Sequence, residues 1–180
     1  MKRAFDLVAA ALGLAVASPV LLLLAIAVRL NSEGPALFRQ RRVGRGEKPF
    51  TCLKLRTMHV GTASVPTHFA PAAALTPLGA TLRRWKLDEL PQLWNVLTGD
   101  MSLVGPRPCL LTQHELIAER RRRGVFALRP GVTGLAQVGG VDMSNPVRCA
   151  EFDARYLADM GMKTDAEILF RTFIRPRRND

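Results

Sequence analysis

From Leu7 to Val28 the chain carries no charged side chain, LVAAALGLAVASPVLLLLAIAV. At about 1.5 Å per residue a straight helix of that length reaches about 33 Å, enough to cross the hydrocarbon core of a bilayer. Lys2, Arg3 and the Ala15-Val16-Ala17 step also fit a secretory signal, but the apolar run continues well past them. The chain beyond the run is arginine-rich and cysteine-poor, unlike a small exported domain stapled by disulfides. A membrane segment is the better reading.

Ser18 and Pro19 interrupt the middle of this run. Pro19 has no N–H for the carbonyl of Ala15 and its ring crowds that turn, while Ser18 can bond back to a backbone carbonyl, so a bend is expected. Both flanks are basic, with Lys2 and Arg3 before the run and Arg29, Arg39, Arg41, Arg42 and Arg45 after it. Cationic ends favour the cytoplasmic face. The sequence therefore predicts a re-entrant helical hairpin over residues 1–30, broken at Ser18 and Pro19, with a single kinked span as the alternative.

The remaining residues suit one domain. A formal charge of +11, from 26 Lys+Arg against 15 Asp+Glu, fits a nucleic acid, an anionic membrane or phosphorylated small molecules. Nucleic-acid recognition usually adds stacking aromatics, and here aromatics make up 6% with one tyrosine. Cys52, Cys109 and Cys149 form no CxxC, and His59, His68 and His114 show no metal-ligand spacing. These residues point to a reducing, cytosol-facing setting.

ALFRQRRVG and PFTCLKLRT read as two short extended segments joined by RGEK, suited to a β-hairpin. The Ala-, Pro- and Thr-rich stretch His59 to Pro77 reads as a surface loop. Helices are expected in LGATLRRW, in DELPQLWNVLTGD, from Leu110 to about Arg123, in CAEFDARYLADMG and in the basic, amphipathic AEILFRTFIRPRRND. RPGVTGLAQVGG reads as a loop. The run Arg120 to Arg123 reads as a solvated face or a lipid-headgroup patch. The fold class is α+β, predominantly helical, with interfacial amphipathic helices.

Pro91 is tolerated only in a first helical turn, which places Asp88 and Glu89 at or just before a helix N-terminus. An ordinary N-cap accounts for such residues. Lys54, Arg56, Arg83, Arg84, Arg107 and Arg129 could instead surround the pair with cations suited to phosphate oxygens. Paired carboxylates among them could bind Mg²⁺ shared with substrate phosphates.

LDELPQLWNVLTGDMSLVGPRP, FRQRRVG, KLRTM and RPGVTGLAQV resemble the signature blocks of the bacterial sugar transferases, small monotopic phosphoglycosyl transferases. The resemblance runs from about Lys2 to Phe173. It implies transfer of a sugar phosphate from a UDP-sugar to a polyprenyl phosphate such as undecaprenyl phosphate, with release of UMP and dependence on Mg²⁺. It implies Asp88 as nucleophile, forming an aspartyl phosphosugar, with Glu89 as positioning, proton-handling or metal-binding partner. Lys54 and Arg56 then fall at nucleotide or phosphate contacts, Arg107 at a phosphate, and Arg129 at a second phosphate or the acceptor. Gln137, Asp153 and Tyr156 fall near the active face, and Ser18-Pro19 at the family's helix break. GRGEK and FAPAAALTP depart from the family pattern, which bears on local loops and sugar choice. The chain reads as a minimal catalytic unit, residues 31–180 forming a cytosol-facing catalytic domain at the bacterial inner membrane. Membrane lipids and a second copy of the chain are further candidate partners. The competing reading is a basic, membrane-anchored binding or regulatory protein without catalysis.

Overall fold

The computed structural model describes residues 1–62 and 74–174. His68, most of the Ala- and Pro-rich stretch, and Arg175, Arg177 and Arg178 lie outside them. The fold is predominantly helical α+β. The first helix, α1, spans Lys2–Asn31 without interruption. It is long and apolar enough to cross a membrane.

The expected break into two helices at Ser18 and Pro19 is not present. Ser18 Oγ donates to the Ala15 carbonyl at 2.8 Å, the same carbonyl that the missing Pro19 N–H leaves unpaired. One side chain thus repairs the defect the next residue makes, and the helix runs through.

α1 lies along the rest of the chain by one stripe, Asp6, Ala10, Gly13, Ala17, Leu21, Leu24 and Val28, all buried or half-buried at helical spacing. Ala10 packs with Phe50, Cys52, Val96 and Met101, and a Cβ on Gly13 would lie 3.3 Å from Leu93. Leu21, Leu24 and Val28 join Leu55, Leu78 and Leu82. The opposite face is bare apolar surface, including Val8, Leu12, Val16, Leu22 and Leu23.

The start of α1 is pinned by charge. Lys2 Nζ pairs with Asp165 at 2.5 Å, and Arg3 donates to the carbonyls of Val96 and Met101. Asp6 accepts from Ser102 Oγ and from the Leu103 N–H. At the other end the Arg56 guanidinium holds the carbonyls of Ser32, Glu33 and Gly34.

β1 (Leu37–Val43) and β2 (Pro49–Leu55) form the expected antiparallel hairpin, Leu37 opposite Leu55 and Val43 opposite Pro49. α2 (Pro77–Arg84) is capped by Thr76, whose Oγ1 accepts from the Gly79 N–H. α3 (Gln92–Thr98) docks on β2 through Asn95, whose amide donates to the Thr51 carbonyl and accepts from the Leu53 N–H. That amide occupies the open edge of β2 as another strand would.

β3 (Ser102–Val104) pairs in parallel with β4 (Gly131–Thr133), a ladder that the loop reading of RPGVTGLAQVGG misses. α4 (His114–Arg122), the single turn α5 (Leu135–Val138), α6 (Pro146–Ala158) and α7 (Met162–Ile174) complete the described chain. Leu116, Cys149, Tyr156 and Ile168 lie in the core beneath them.

Candidate active site

Asp88 and Glu89 occupy a 3₁₀ turn, Leu87–Glu89, between α2 and α3. Lys86, just before it, has φ +57°, a left-handed backbone that side-chain-bearing residues rarely adopt. This reversal after α2 lays the turn against β2. Neither carboxylate caps a helix, since Pro91 stands at the N-cap of α3 and no side chain bonds there. Both are left for other partners.

Their surroundings differ. Glu89 Oε1 accepts from Lys54 Nζ at 2.8 Å and from Arg107 Nη2 at 2.8 Å. Burial opposes its ionisation, but Arg107 and Lys54 together hold its carboxyl well below the ordinary range. Asp88 is 6% exposed and makes no side-chain hydrogen bond or salt bridge among the described residues. Burial, then the adjoining Glu89 charge, push its carboxyl up, while Lys54, Arg83 and Arg107 pull it down. The result is a clamped carboxylate beside an unclamped one. A desolvated carboxylate without a donor on it is the more nucleophilic of the two.

Arg83 completes the cationic surround. Its Nε donates to Thr57 Oγ1 at 2.9 Å, and its field reaches both Asp88 and Glu89.

Arg107 is held by the backbone around it. Pro106 and Pro108 have no N–H, so residues 106–109 can be fixed mainly through carbonyls. Each carbonyl meets a different donor: the Gly131 N–H on Pro106, Arg120 Nη1 on Arg107 and Arg42 Nη1 on Pro108, all at 2.9 Å, and the Val43 N–H on Cys109 at 3.0 Å. Gly105 permits the approach, because a Cβ there would lie 2.5 Å from the Arg129 carbonyl. Arg120 is itself fully buried and paired with Asp153 at 2.7 Å. A rigid strap therefore aims the Arg107 side chain at Glu89.

Of the residues singled out in the sequence, the structure brings together Lys54, Asp88, Glu89 and Arg107. Arg56 instead faces the carbonyls at the end of α1. Asp153 is buried against Arg120 and Cys149, and Tyr156 donates to Asp165 at 2.6 Å from the core, so neither faces the acidic pair; spacing along one helix cannot show which face is inward. Arg129 Nε donates to the Gly99 carbonyl, and Gln137 to the Val132 carbonyl. The arginine run is not one patch: Arg120 is core, Arg121 pairs with Glu47, and Arg122 and Arg123 pair with Glu119.

Sequence reasoning misses Arg42 and Arg120 as supports of the site. Arg120 lies four residues after buried Leu116 on the same helical face, which is the one signal the sequence offers for it.

A buried, unclamped aspartate lies beside a clamped glutamate with Lys54, Arg83 and Arg107 around them, cations of the kind that suit phosphate oxygens. The bacterial sugar transferase family model matches residues 1–177, and the chain belongs to that family. It is 43% identical over 182 residues to the UDP-glucose:undecaprenyl-phosphate glucose-1-phosphate transferase of Caulobacter vibrioides, covering 95% of this chain and 67% of that protein. It is 39% identical to the Escherichia coli protein of the same name, covering 96% of this chain and 39% of that protein. The exopolysaccharide production protein ExoY of Rhizobium meliloti is 38% identical, with 95% of this chain and 83% of ExoY covered.

Proposed function

We propose that this chain is a phosphoglycosyl transferase that moves a sugar-1-phosphate from a UDP-sugar to a membrane polyprenyl phosphate, an early membrane step of glycan assembly. The names of the C. vibrioides and E. coli relatives support both substrate classes. The observation that carries the reading is the contrast between Asp88, buried without a donor, and Glu89, held by Lys54 and Arg107.

In this reading an Asp88 carboxylate oxygen attacks the sugar-bearing phosphorus. The bond from that phosphorus to the bridging oxygen breaks, and the electron pair leaves with UMP. A polyprenyl phosphate oxygen then attacks the same phosphorus and Asp88 departs as a carboxylate. Lys54, Arg83 and Arg107 offset charge on the phosphate oxygens throughout.

The described residues hold no cluster of three or more metal-ligating side chains. The donor set fits Mg²⁺ as an ion shared with substrate, held by Asp88 and the Glu89 oxygen that Lys54 and Arg107 leave open. When bound, Mg²⁺ would neutralise diphosphate charge.

The packing of both ends of α1 on one domain supports a monotopic arrangement, with the bare face of the helix in the cytoplasmic leaflet and the site at the headgroup level.

The test is incubation of the purified chain with labelled UDP-sugars, polyprenyl phosphate and Mg²⁺, followed by mass spectrometry of the intact protein. A lipid-linked product and a sugar-phosphate adduct on Asp88, both absent from Asp88→Asn, are expected. Full turnover by Asp88→Asn would reject the covalent route.

A further inference from the structure

Asp6 is the one acidic side chain in α1, and it is 2% exposed. A carboxylate taken out of water on an otherwise apolar helix is costly unless donors or a counter-charge meet it. Three groups do so here. Ser102 Oγ donates to Oδ2 at 2.9 Å, the Leu103 N–H donates to Oδ1 at 3.3 Å, and Lys2 Nζ lies 3.8 Å from Oδ1, one helical turn back. Lys2 also pairs with Asp165, and Arg3 holds the carbonyls of Val96 and Met101, so the start of α1 is anchored by other bonds as well.

The bonds that Asp6 adds fall on a particular edge. The Ser102 N–H points toward β4 and donates to the Pro130 carbonyl at 2.9 Å. The next N–H along a strand points to the opposite edge, and there Leu103 finds Asp6. Asp6 thus closes the free edge of β3 with its two oxygens, as the Asn95 amide closes the edge of β2. β3 is gripped by β4 on one side and by α1 on the other. Gly105 and Pro106 alone separate the end of β3 from Arg107. Both are themselves fixed, the Gly105 N–H on the Thr133 carbonyl and the Pro106 carbonyl by the Gly131 N–H, each at 2.9 Å. Little play is left between the strand and the strap.

We propose that Asp6 is a positioning residue for Arg107: by fixing the outer edge of β3 it sets where the strap begins, and so how Arg107 meets Glu89 and a substrate phosphate. The inference rests on the transfer reading and deepens it. Seating the start of α1 and aligning Arg107 are then one event, and the apolar helix serves the site as well as the membrane.

Three variants of the full chain in nanodiscs test this. Asp6→Ala removes both acceptors. Asp6→Asn removes the charge beside Lys2 but keeps an acceptor for the Leu103 N–H. Ser102→Ala removes one donor only, and carries the test where Asp6→Ala does not fold. With labelled UDP-sugar, kcat should fall about tenfold in Asp6→Ala and about threefold in Ser102→Ala, as small misplacements of a site residue do, and Asp6→Asn should recover most of the loss. Made in an Arg107→Lys chain, the same changes should cost less than about a further twofold, because residues that act through one another are not additive. Unchanged kcat, equal losses in both backgrounds, or Asp6→Asn as slow as Asp6→Ala each overturn the inference; Asp6 would then be general support or a counter-ion for Lys2. Amide exchange reads the same hold without turnover. The N–H groups of Leu103, Gly105 and Gly131 should exchange about tenfold faster in Asp6→Ala, and less so in Ser102→Ala, with α4 and α6 unchanged. Acceleration spread evenly over the domain overturns the inference, even where the wild-type chain transfers sugar phosphate. Faster exchange confined to β3 and the strap, in a chain that transfers nothing, rejects the transfer reading and leaves the hold of Asp6 on the strap standing.

Discussion

At Asp88 and Glu89, two adjacent carboxylates of the same charge make opposite contributions to stability. The Asp88 carboxyl is raised by burial and by Glu89, so its ionisation costs stability, and the cost sets in as pH climbs above the ordinary aspartate value of 3.8. The Glu89 carboxyl is lowered, so it contributes stability that is present above the ordinary glutamate value of 4.5 and lost as pH falls through its depressed value. At neutral pH Asp88→Asn should therefore raise the melting temperature, by the equivalent of about 1 kcal/mol. Glu89→Gln should lower it by about 3 kcal/mol, because Lys54 and Arg107 lose their anion. Thermal unfolding of both variants checks the pair, and equal shifts would contradict it. In the proposed covalent route Asp88 attacks as a carboxylate, so the acidic limb of the rate profile should likewise lie above the ordinary aspartate range. Asp153→Asn offers a parallel test in the core: buried Arg120 loses its counter-ion and its hold on the Arg107 carbonyl weakens, so stability should fall by about 3 kcal/mol and kcat with it. The motif makes Asp88, Glu89, Lys54 and Arg107 legible in the sequence. Arg56 and Tyr156 carry equally chemical side chains, but their partners are backbone carbonyls and a buried aspartate on another helix, which no local pattern reveals.

The elements show the same division between local and distant causes. The β1–β2 hairpin is readable because its alternation and turn lie within one short stretch. The β3–β4 ladder is not, because the strap and α4 separate Ser102 from Gly131 along the chain and no local pattern pairs them. In α1 the sequence points to the right two residues but to the wrong outcome. Pro19 alone would break the helix, and Ser18 supplies the bond that Pro19 cannot. Ser18→Ala should leave the Ala15 carbonyl unpaired on the exposed part of α1, which meets lipid in the proposed arrangement, costing about 1 kcal/mol and loosening the helix there. Pro19→Ala restores the backbone bond and should leave the helix as firm as before. Hydrogen exchange in nanodiscs distinguishes them: faster exchange in Ser18→Ala than in Pro19→Ala is expected, and the reverse order would show that the serine bond does not support the turn.

For the molecule as a whole, the question is how a helix long enough to cross a bilayer can serve a site fed from water. A spanning helix leaves its domain at the membrane surface, but the stripe from Asp6 to Val28 stays against the domain along nearly all of α1. Lys2 and Arg3 are tied to Asp165 and to the end of α3, and residues 32–34 are tied to Arg56. Both ends are thus tied to the same domain, and in the proposed monotopic arrangement the exposed apolar face meets lipid lying alongside the helix. The three native cysteines are buried, which leaves them silent to a charged, membrane-impermeant maleimide. Single cysteines at Ala4 and Glu33, both exposed, should label from the cytoplasmic face in inverted vesicles, whereas one at Val16, on the bare face, should be protected by lipid until detergent is added. Labelling of positions 4 and 33 from opposite faces would require α1 to separate from β2 and α3 along its length, leaving Ala10 and Val28 without the core they share with those elements.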